Sequence, residues 1–201
     1  APSGVRFGEY DRYNSSNPYA ATKAAAEEMC VAYRNTYKLP IIVTHTMNVF
    51  GERQTPEKFI PMCVRKVAKG ETITIHADET KTKAGSRFYI HAKDVAEAVY
   101  FLVTNDDTVT TDKHNLCPKF NIVGAEEIDN LSLARMIARA QDKELKYEMV
   151  DFHSSRPGHD LRYALSGDLM RSHGWEPKIA LSKRIEEVCN WYLNNNKWLN
   201  L

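Results

Sequence analysis

The sequence predicts an α/β protein built on a parallel sheet. Segments with the composition of strands alternate with helical segments along most of the 201 residues. The run from Ile41 to Met47 is β-branched and apolar enough to be a strand covered on both faces, which is typical of parallel sheets. Pro18 at the start of one predicted helix and Gly70 at the end of another supply boundary signals.

The predicted elements follow one another with short connections. In order, they are a polar loop over residues 1–17, a helix over 18–37, a strand over 41–47, a helix over 58–69, an alternating strand over 72–76, a charged loop over 77–87, a strand over 88–90, a helix over 92–103, a polar loop over 104–118, a strand and turn over 120–124, a helix over 132–141, a strand over 146–150, an irregular loop over 156–160, and helices over 165–173 and 181–193.

Composition and charge are those of an ordinary globular protein. Hydrophobic residues make up 43% of the chain, and a formal net charge of +1 gives no electrostatic case for a nucleic-acid or membrane partner. No apolar stretch has the length of a membrane span. The cysteines lack metal-ligand spacing, so we expect no metal, buried thiols at Cys30 and Cys63, and a reducing cytoplasmic location.

Tyr19 and Lys23 lie four residues apart at the start of the first predicted helix. This spacing places both side chains on one face, one turn apart. An ammonium group beside a phenol favours the phenolate, so such a pair can act as a general base on a sugar or alcohol hydroxyl. The pattern alone does not separate a catalytic pair from ordinary helix surface.

Further segments occur in an order and spacing that are specific when taken together. They are Asn17 to Lys23, Asn48 to Gly51, Pro56 to Pro61, Ser86 to His91 leading into Asp94 to Ala96, Phe120 to Ile122, Arg156 to Asp160, and Gly174 to Pro177. From about Ser15 to Trp198 the chain resembles the extended short-chain dehydrogenases/reductases that act on nucleotide sugars, the NAD-dependent epimerase/dehydratase family. Its Arg-Pro-Gly-His-Asp segment is most similar to the 4,6-dehydratase branch.

The resemblance implies a fold and a division of the chain. The expected fold is the later part of a Rossmann-type parallel sheet plus a smaller mixed α/β substrate-binding lobe. Residues 1–55 would form the C-terminal part of the Rossmann-type domain with the Tyr-x-x-x-Lys helix. Residues 56–201 would form mainly the sugar-nucleotide-binding lobe, with 88–104 returning to the Rossmann-type part.

The resemblance also implies an activity and a cofactor. An NAD-dependent 4,6-dehydratase converts a nucleotide-activated hexose, here expected to be dTDP-glucose, to the 4-keto-6-deoxy sugar. Tyr19 would take the proton from the sugar O4 hydroxyl. Lys23 would hold the nicotinamide ribose and favour the Tyr19 phenolate, and the backbone near Val49 would border the nicotinamide.

Ten residues are implied as contacts to the nucleotide-sugar substrate. They would hydrogen-bond the sugar, lie beside the diphosphate, line the nucleotide pocket or close over it. Arg87 would pair with a phosphate, which fits a guanidinium fork. The ten are Asn48, Lys58, Phe59, Thr74, Ile75, His76, Arg87, Asn121, Arg156 and His159.

Three family motifs have no counterpart in these 201 residues. They are the Gly-x-x-Gly-x-x-Gly turn, the acidic residue that would hold the adenine ribose, and a Thr-Asp-Glu segment whose carboxyl groups drive loss of water across C5 and C6. We therefore expect the chain to correspond to the C-terminal portion of a longer enzyme. Phe50-Gly51-Glu52 replaces the usual Tyr-Gly-Pro, and the segment between His76 and Arg87 is longer than usual, so the sugar and the nucleotide stay open.

Three functions are compatible with the sequence. The first is part of an NAD-dependent nucleotide-sugar 4,6-dehydratase, and the second is a related epimerase or decarboxylase. The third is a truncated, non-catalytic sugar-nucleotide-binding module, or a half that works only with a partner chain. A strand over residues 41–46 without its usual neighbour would expose an apolar edge, so we also expect a homodimer or other self-association.

Overall fold

The structure is a computed structural model that describes residues 4–105, 117–152 and 160–199. Helices and strands alternate, which confirms the predicted α/β class. Along the described ranges the elements are α1 Pro18–Tyr37, β1 Val43–Thr46, β2 Val49–Phe50, α2 Phe59–Lys69, β3 Ile73–Ala77, β4 Ser86–Arg87, β5 Ile90–His91, α3 Ala92–Thr104, β6 Lys119–Ile122, β7 Ile128–Asp129, α4 Asn130–Ala140, β8 Tyr147–Asp151, α5 Asp168–Ser172, α6 Leu181–Asn194 and a 3-10 turn at Asn196–Trp198.

The strands pair two by two, and three of the four pairs are parallel. β1 pairs with β6, β2 with β5 and β3 with β8 in parallel, whereas β4 and β7 are antiparallel. The chain changes partner strand between β1 and β2. There the N–H of Met47 donates to the carbonyl of Ile122, and the N–H of Ile90 donates to the carbonyl of Asn48. A change of partner in a parallel sheet opens a crevice at the strand ends, which is where such folds bind ligands.

The larger apolar core lies between β3 and three helices, α2, α4 and α6. Val64, Ile73, Ile137 and Val188 are among its fully buried members. Each such side chain contributes about 1.5–3 kcal/mol to folding when it is removed from water. This core holds β3 and its partner β8 against the helices.

A second core lies where α3 and α5 pack on β5 and β6. It contains Ile90, Leu102, Phe120 and Trp175. Just after β6, Gly124 lies against the backbone of Tyr89, the residue before β5. A Cβ atom on Gly124 would lie 2.0 Å from the carbonyl oxygen of Tyr89. Only glycine fits there, and this close approach brings the end of β6 beside β5.

A buried ion pair joins helices of the two cores. Asp94 on α3 is 3% exposed and Arg184 on α6 is 8% exposed. The guanidinium donates to both carboxylate oxygens, at 2.5 and 3.3 Å. Asp94 therefore has two roles. Its carboxylate interacts favourably with the helix dipole in the first turn of α3, and it also neutralises a buried arginine.

Several predicted boundaries and burials need correction. The strand predicted at 88–90 is β5 at Ile90–His91, and the helix predicted over 165–173 spans only Asp168–Ser172. The loop predicted over 77–87 contains β4. The prediction of a strand covered on both faces at 41–47 is wrong, because β1 is only half-buried and pairs, within the described residues, with β6 alone. Cys63 is buried as predicted, but Cys30 is exposed on α1.

α1 is the long helix with the least apolar support. None of its 20 residues is buried, and Met29, Tyr33 and Tyr37 are exposed by 58%, 48% and 65%. No helix in the described part of the chain is long and apolar enough to cross a membrane.

Replacing Asp94 by asparagine should destabilise the protein strongly. The change leaves the buried Arg184 with only the more exposed Glu187, 3.2 Å away, as a carboxylate partner, and removing the buried partner of such a pair typically costs up to about 3–5 kcal/mol in the free energy of unfolding. Urea denaturation measures the loss. Glu186→Gln on the same helix is the control, because Glu186 pairs with Lys183 at 3.1 Å while half-exposed and should change little. Equal losses for the two variants would contradict a special role of the buried pair.

Acid should weaken the fold through His91. Burial is the main cause that lowers the pKa of His91, and its Nδ1 already accepts from the N–H of Lys93 at the start of α3. As the pH falls, His91 is therefore protonated in the unfolded chain before it is protonated in the folded protein. The free energy of unfolding consequently decreases as the pH falls below about 6.5. His91→Asn keeps a capping acceptor without the titrating group. In urea titrations, the free energy of unfolding of His91→Asn should fall less between pH 7 and pH 5 than that of the wild type. Parallel pH dependences for the two proteins would refute this.

Candidate functional site

Tyr19 and Lys23 lie on the first turns of α1 and are open to solvent. Asn17 caps the helix by accepting from the N–H of Ala20 at 2.9 Å, and Pro18 follows in the first turn. Tyr19 is 70% exposed, and the Lys23 ammonium lies 6.0 Å from the centre of its ring. The structure thus brings the predicted pair together with its polar groups free to meet a ligand.

Asn48 and Val49 lie where the chain changes partner strand. The Asn48 side chain is exposed, and Val49 is 39% exposed. The turn that follows is held firmly, because the buried hydroxyl of Tyr192 donates to the Gly51 carbonyl at 3.0 Å and accepts from the N–H of Gln54 at 3.1 Å. The predicted contact residues therefore sit on a rigid support with their outer faces open.

Lys58 and Phe59 begin α2. The Lys58 side chain is exposed and does not cap the helix, so its ammonium is available to an anion. Phe59 is partly buried against the larger core. The structure leaves a phosphate contact open for Lys58, while Phe59 is mainly a packing residue.

The three predicted pocket residues of β3 do not share a face. Ile75 is completely buried in the larger core, while Thr74 and His76 alternate with it and lie on the other face. Thr74 donates to Glu148 at 3.0 Å, and the His76 ring stacks edge-to-face on Phe152 at 5.5 Å. The prediction that the Ile75 side chain lines a pocket with its neighbours is therefore corrected, because strand alternation turns it into the core.

Arg87 is tied to backbone carbonyls. Its guanidinium donates to Ser86 and Leu161 at 2.6 Å and to Asp160 at 2.5 Å. Burial, the main effect, lowers the pKa of Arg87, although arginine stays charged at any ordinary pH. The side chain therefore anchors the backbone at Asp160 and Leu161.

Two predicted contacts, Arg156 and His159, lie outside the described residues. Asn121 is described, and its position disagrees with a nucleotide contact. It is completely buried, and its amide nitrogen donates to the carbonyls of Phe7 at 3.2 Å and Ser166 at 3.0 Å. Asn121 holds the segment before α1 against β6 instead.

The sequence reasoning missed a cluster of charged groups under α1. The Glu27 carboxylate lies 2.6 Å from the ammonium of Lys119 and 2.7 Å from Nε2 of His45. Burial acts to raise the pKa of Glu27, but hydrogen bonds from Lys119, Tyr13 and His45 outweigh it and hold the pKa below its usual value. A signal was present, because residues 19, 23 and 27 repeat every four positions along one side of the helix.

Within residues 4–105, 117–152 and 160–199, no group of three or more His, Cys, Asp or Glu side chains is arranged to hold a metal ion. On α1 the candidate site offers an exposed phenol and ammonium.

The chain is similar in sequence to a family of known enzymes. The model of the NAD dependent epimerase/dehydratase family matches residues 2–117. dTDP-glucose 4,6-dehydratase of Escherichia coli is 31% identical over 202 residues, and the alignment covers 96% of this chain but 52% of that enzyme. The chain spans about half the length of the curated relatives it matches.

Solved structures agree on the fold. dTDP-glucose 4,6-dehydratase of Bacillus anthracis, crystallised with NAD, superposes with a TM-score of 0.81 at 29% identity, covering 100% of this chain and 59% of that one. UDP-glucose 4-epimerase of Thermus thermophilus, also crystallised with NAD, gives a TM-score of 0.82 at 27% identity, covering 96% and 59%. The arrangement of helices and parallel strands is therefore that of Rossmann-like dehydratases and epimerases.

Proposed function

The chain belongs to the NAD-dependent epimerase/dehydratase family, and we propose that it supplies the proton-transfer pair and the sugar-nucleotide side of a 4,6-dehydratase. The expected substrate is a nucleotide-activated hexose, with dTDP-glucose first. One observation carries the proposal. Tyr19 and Lys23 lie open on one face of α1 in a chain that is 31% identical to an E. coli dTDP-glucose 4,6-dehydratase across 96% of its own length.

In this proposal Tyr19 accepts the proton of the sugar O4 hydroxyl. The ammonium of Lys23 lies 6.0 Å from the centre of the phenol ring, within reach of the same ligand. Asn48, exposed at the change of partner strand, is positioned to hydrogen-bond the sugar. NAD, when bound, accepts and returns the hydride. The exposed Lys23 and Val49 fit its nicotinamide end, and the glycine turn for its other end is not among these residues.

The complete reaction needs groups that these 201 residues do not contain. They are a phosphate-binding glycine turn and the carboxyl groups that remove water from C5 and C6. We propose that another polypeptide segment supplies them, packing on α1 and on the outer edge of β1. Two observations support this surface: no residue of α1 is buried, and β1 has, among the described strands, only β6 as a partner.

Epimerisation at C4 is the second candidate. The similarity to the T. thermophilus UDP-glucose 4-epimerase favours it, because that likeness is as strong as the one to the dehydratases. The same Tyr-Lys pair would serve either reaction, so the product separates the two.

Complementation tests the proposal directly. The chain is co-expressed with the part of E. coli dTDP-glucose 4,6-dehydratase that precedes the matched region, and it is then supplied with NAD and dTDP-glucose. We expect formation of the 4-keto-6-deoxy sugar. Tyr19→Phe should lower the rate by about 10²–10⁴-fold, because the general base is lost. Tyr37→Phe is the matched control, since Tyr37 is similarly exposed at the far end of the same helix.

The outcomes distinguish the candidates. If the product is the 4-epimer of the substrate, the proposed activity is epimerisation and not dehydration. Binding of dTDP-glucose in calorimetry without any product would favour a non-catalytic binding module. Equal rates for Tyr19→Phe and Tyr37→Phe would remove Tyr19 from the mechanism.

The isolated chain should self-associate through the exposed face of α1. Sedimentation is expected to show dimers or larger species, and an apolar dye should fluoresce on binding. Met29→Lys should shift the distribution toward monomer. Val103→Lys on α3 is the control, because Val103 is 66% exposed on a different helix and should have no such effect. A monodisperse monomer without a dye signal would refute the prediction.

A further inference from the structure

Apolar packing does not explain what fixes α1 in place. Helices in proteins usually owe most of their stability to a buried amphipathic face. α1 has no buried residue, although it carries Tyr19 and Lys23. One polar side chain on the helix is nevertheless well protected, since the Glu27 side chain is only 10% exposed.

Glu27 joins α1 to both strands of the first parallel pair. One carboxylate oxygen lies 2.6 Å from the ammonium of Lys119 on β6, and the other lies 2.7 Å from Nε2 of His45 on β1. On the segment before α1, the hydroxyl of Tyr13 lies 3.4 Å from Nε2 of His45, and burial, together with the nearby Glu27 carboxylate, raises the pKa of Tyr13. A single carboxylate thus gathers three elements around the helix.

The hydrogen-bond pattern determines the charge of His45. Its Nδ1 lies 3.0 Å from Oδ1 of Asn121, and the amide nitrogen of Asn121 is already committed to two backbone carbonyls. Nδ1 therefore faces an acceptor, and Nε2 faces the Glu27 carboxylate. A neutral imidazole has a single N–H, so both bonds form only when the ring is an imidazolium.

We propose that Glu27, held by the His45 imidazolium and by Lys119, is the positioning residue that fixes α1, and with it Tyr19 and Lys23, against β1 and β6. Residues 19, 23 and 27 lie along one side of the helix. Anchoring Glu27 therefore fixes the rotation of α1 about its own axis, and with it the direction in which Tyr19 and Lys23 face. The link to catalysis rests on the proposed function, whereas the anchor itself does not.

Several polar groups surround the His45 ring and set its contacts. The groups that face the ring are Glu27 from α1, the Tyr13 hydroxyl at 3.4 Å from Nε2, and Asn121 from β6. Lys119 pairs with the other oxygen of Glu27, and Glu9 accepts from the backbone N–H of Asn121 at 3.1 Å without touching the ring. The anchor of α1 therefore combines the Glu27–Lys119 ion pair with the two contacts of the His45 ring.

Amide hydrogen exchange of the chain tests the anchor without any need for turnover. At pH 6, the amides of residues 18–37 should exchange about tenfold faster in Glu27→Gln than in wild type, while α2 and α4 are unchanged. Glu28→Gln is the matched control, because Glu28 is the next residue and is exposed. Equal exchange in the two variants would overturn the proposal.

Variants at His45 test the second contact of Glu27. At pH 6, His45→Gln should speed amide exchange in α1, because it removes the positive charge that faces the carboxylate. His45→Arg, which stays charged, should keep more of the protection. Equal exchange in wild type and His45→Gln would overturn the role of the imidazolium.

A final measurement separates the anchor from the proposed function. In the complemented enzyme described above, Glu27→Gln should lower kcat and change the KM for dTDP-glucose little, because the base is misplaced while the substrate pocket is intact. If no wild-type preparation is active, the proposed function fails and hydrogen exchange still decides the anchor. If Glu27→Gln loosens α1 but leaves kcat unchanged, the positioning role is refuted.

Discussion

A buried amide that must satisfy its hydrogen bonds organises this molecule. Asn121 is completely inaccessible on β6, and a polar group in such a place is tolerated only when it is paired. Its nitrogen holds the carbonyls of Phe7 and Ser166, and its oxygen holds His45. Through His45 the chain of contacts continues to Glu27 on α1. The helix with the candidate proton-transfer pair is thus placed by a polar network that begins in the sheet.

The remainder of the fold gives that network a stiff base. Two apolar cores form on different strands, and the Asp94–Arg184 pair joins the helices that pack on them. Tyr192, completely buried on α6, fixes the turn that follows β2. The open residues Asn48 and Val49 therefore lie between rigid elements, whereas α1 depends on charges. This contrast makes α1 the part of the site whose position is most easily altered.

The proposed function agrees with this difference between the packed elements around Asn48 and Val49 and the polar contacts that hold α1. A general base has to reach its proton to within hydrogen-bonding distance, so the helix that carries it must be placed accurately. The substrate side of the site rests on packed elements. In the proposal, the exposed side of α1 and the edge of β1 that no described strand pairs receive the segment that completes the dinucleotide site. The chain covers about half the length of its curated relatives.

Sequence patterns predicted most of the local structure. The helix start at Pro18, the helix end at Gly70 and the alternation of β3 each reflect short-range rules, and the structure bears them out. The proximity of Tyr19 and Lys23 was equally accessible, because a spacing of four within a helix is itself a geometric statement.

Long-range contacts decided the rest. Asn121 reads like a ligand contact in the sequence, and only the approach of Phe7 and Ser166 turns it into a buried support. Cys30 has the pattern of a buried residue, yet no other described element covers that face of α1. By itself, the sequence determined the α/β class, the main elements and the Tyr-Lys pair, because these follow from periodicity and local spacing. Tertiary structure alone decided which polar groups are buried, because burial depends on segments that are distant in sequence.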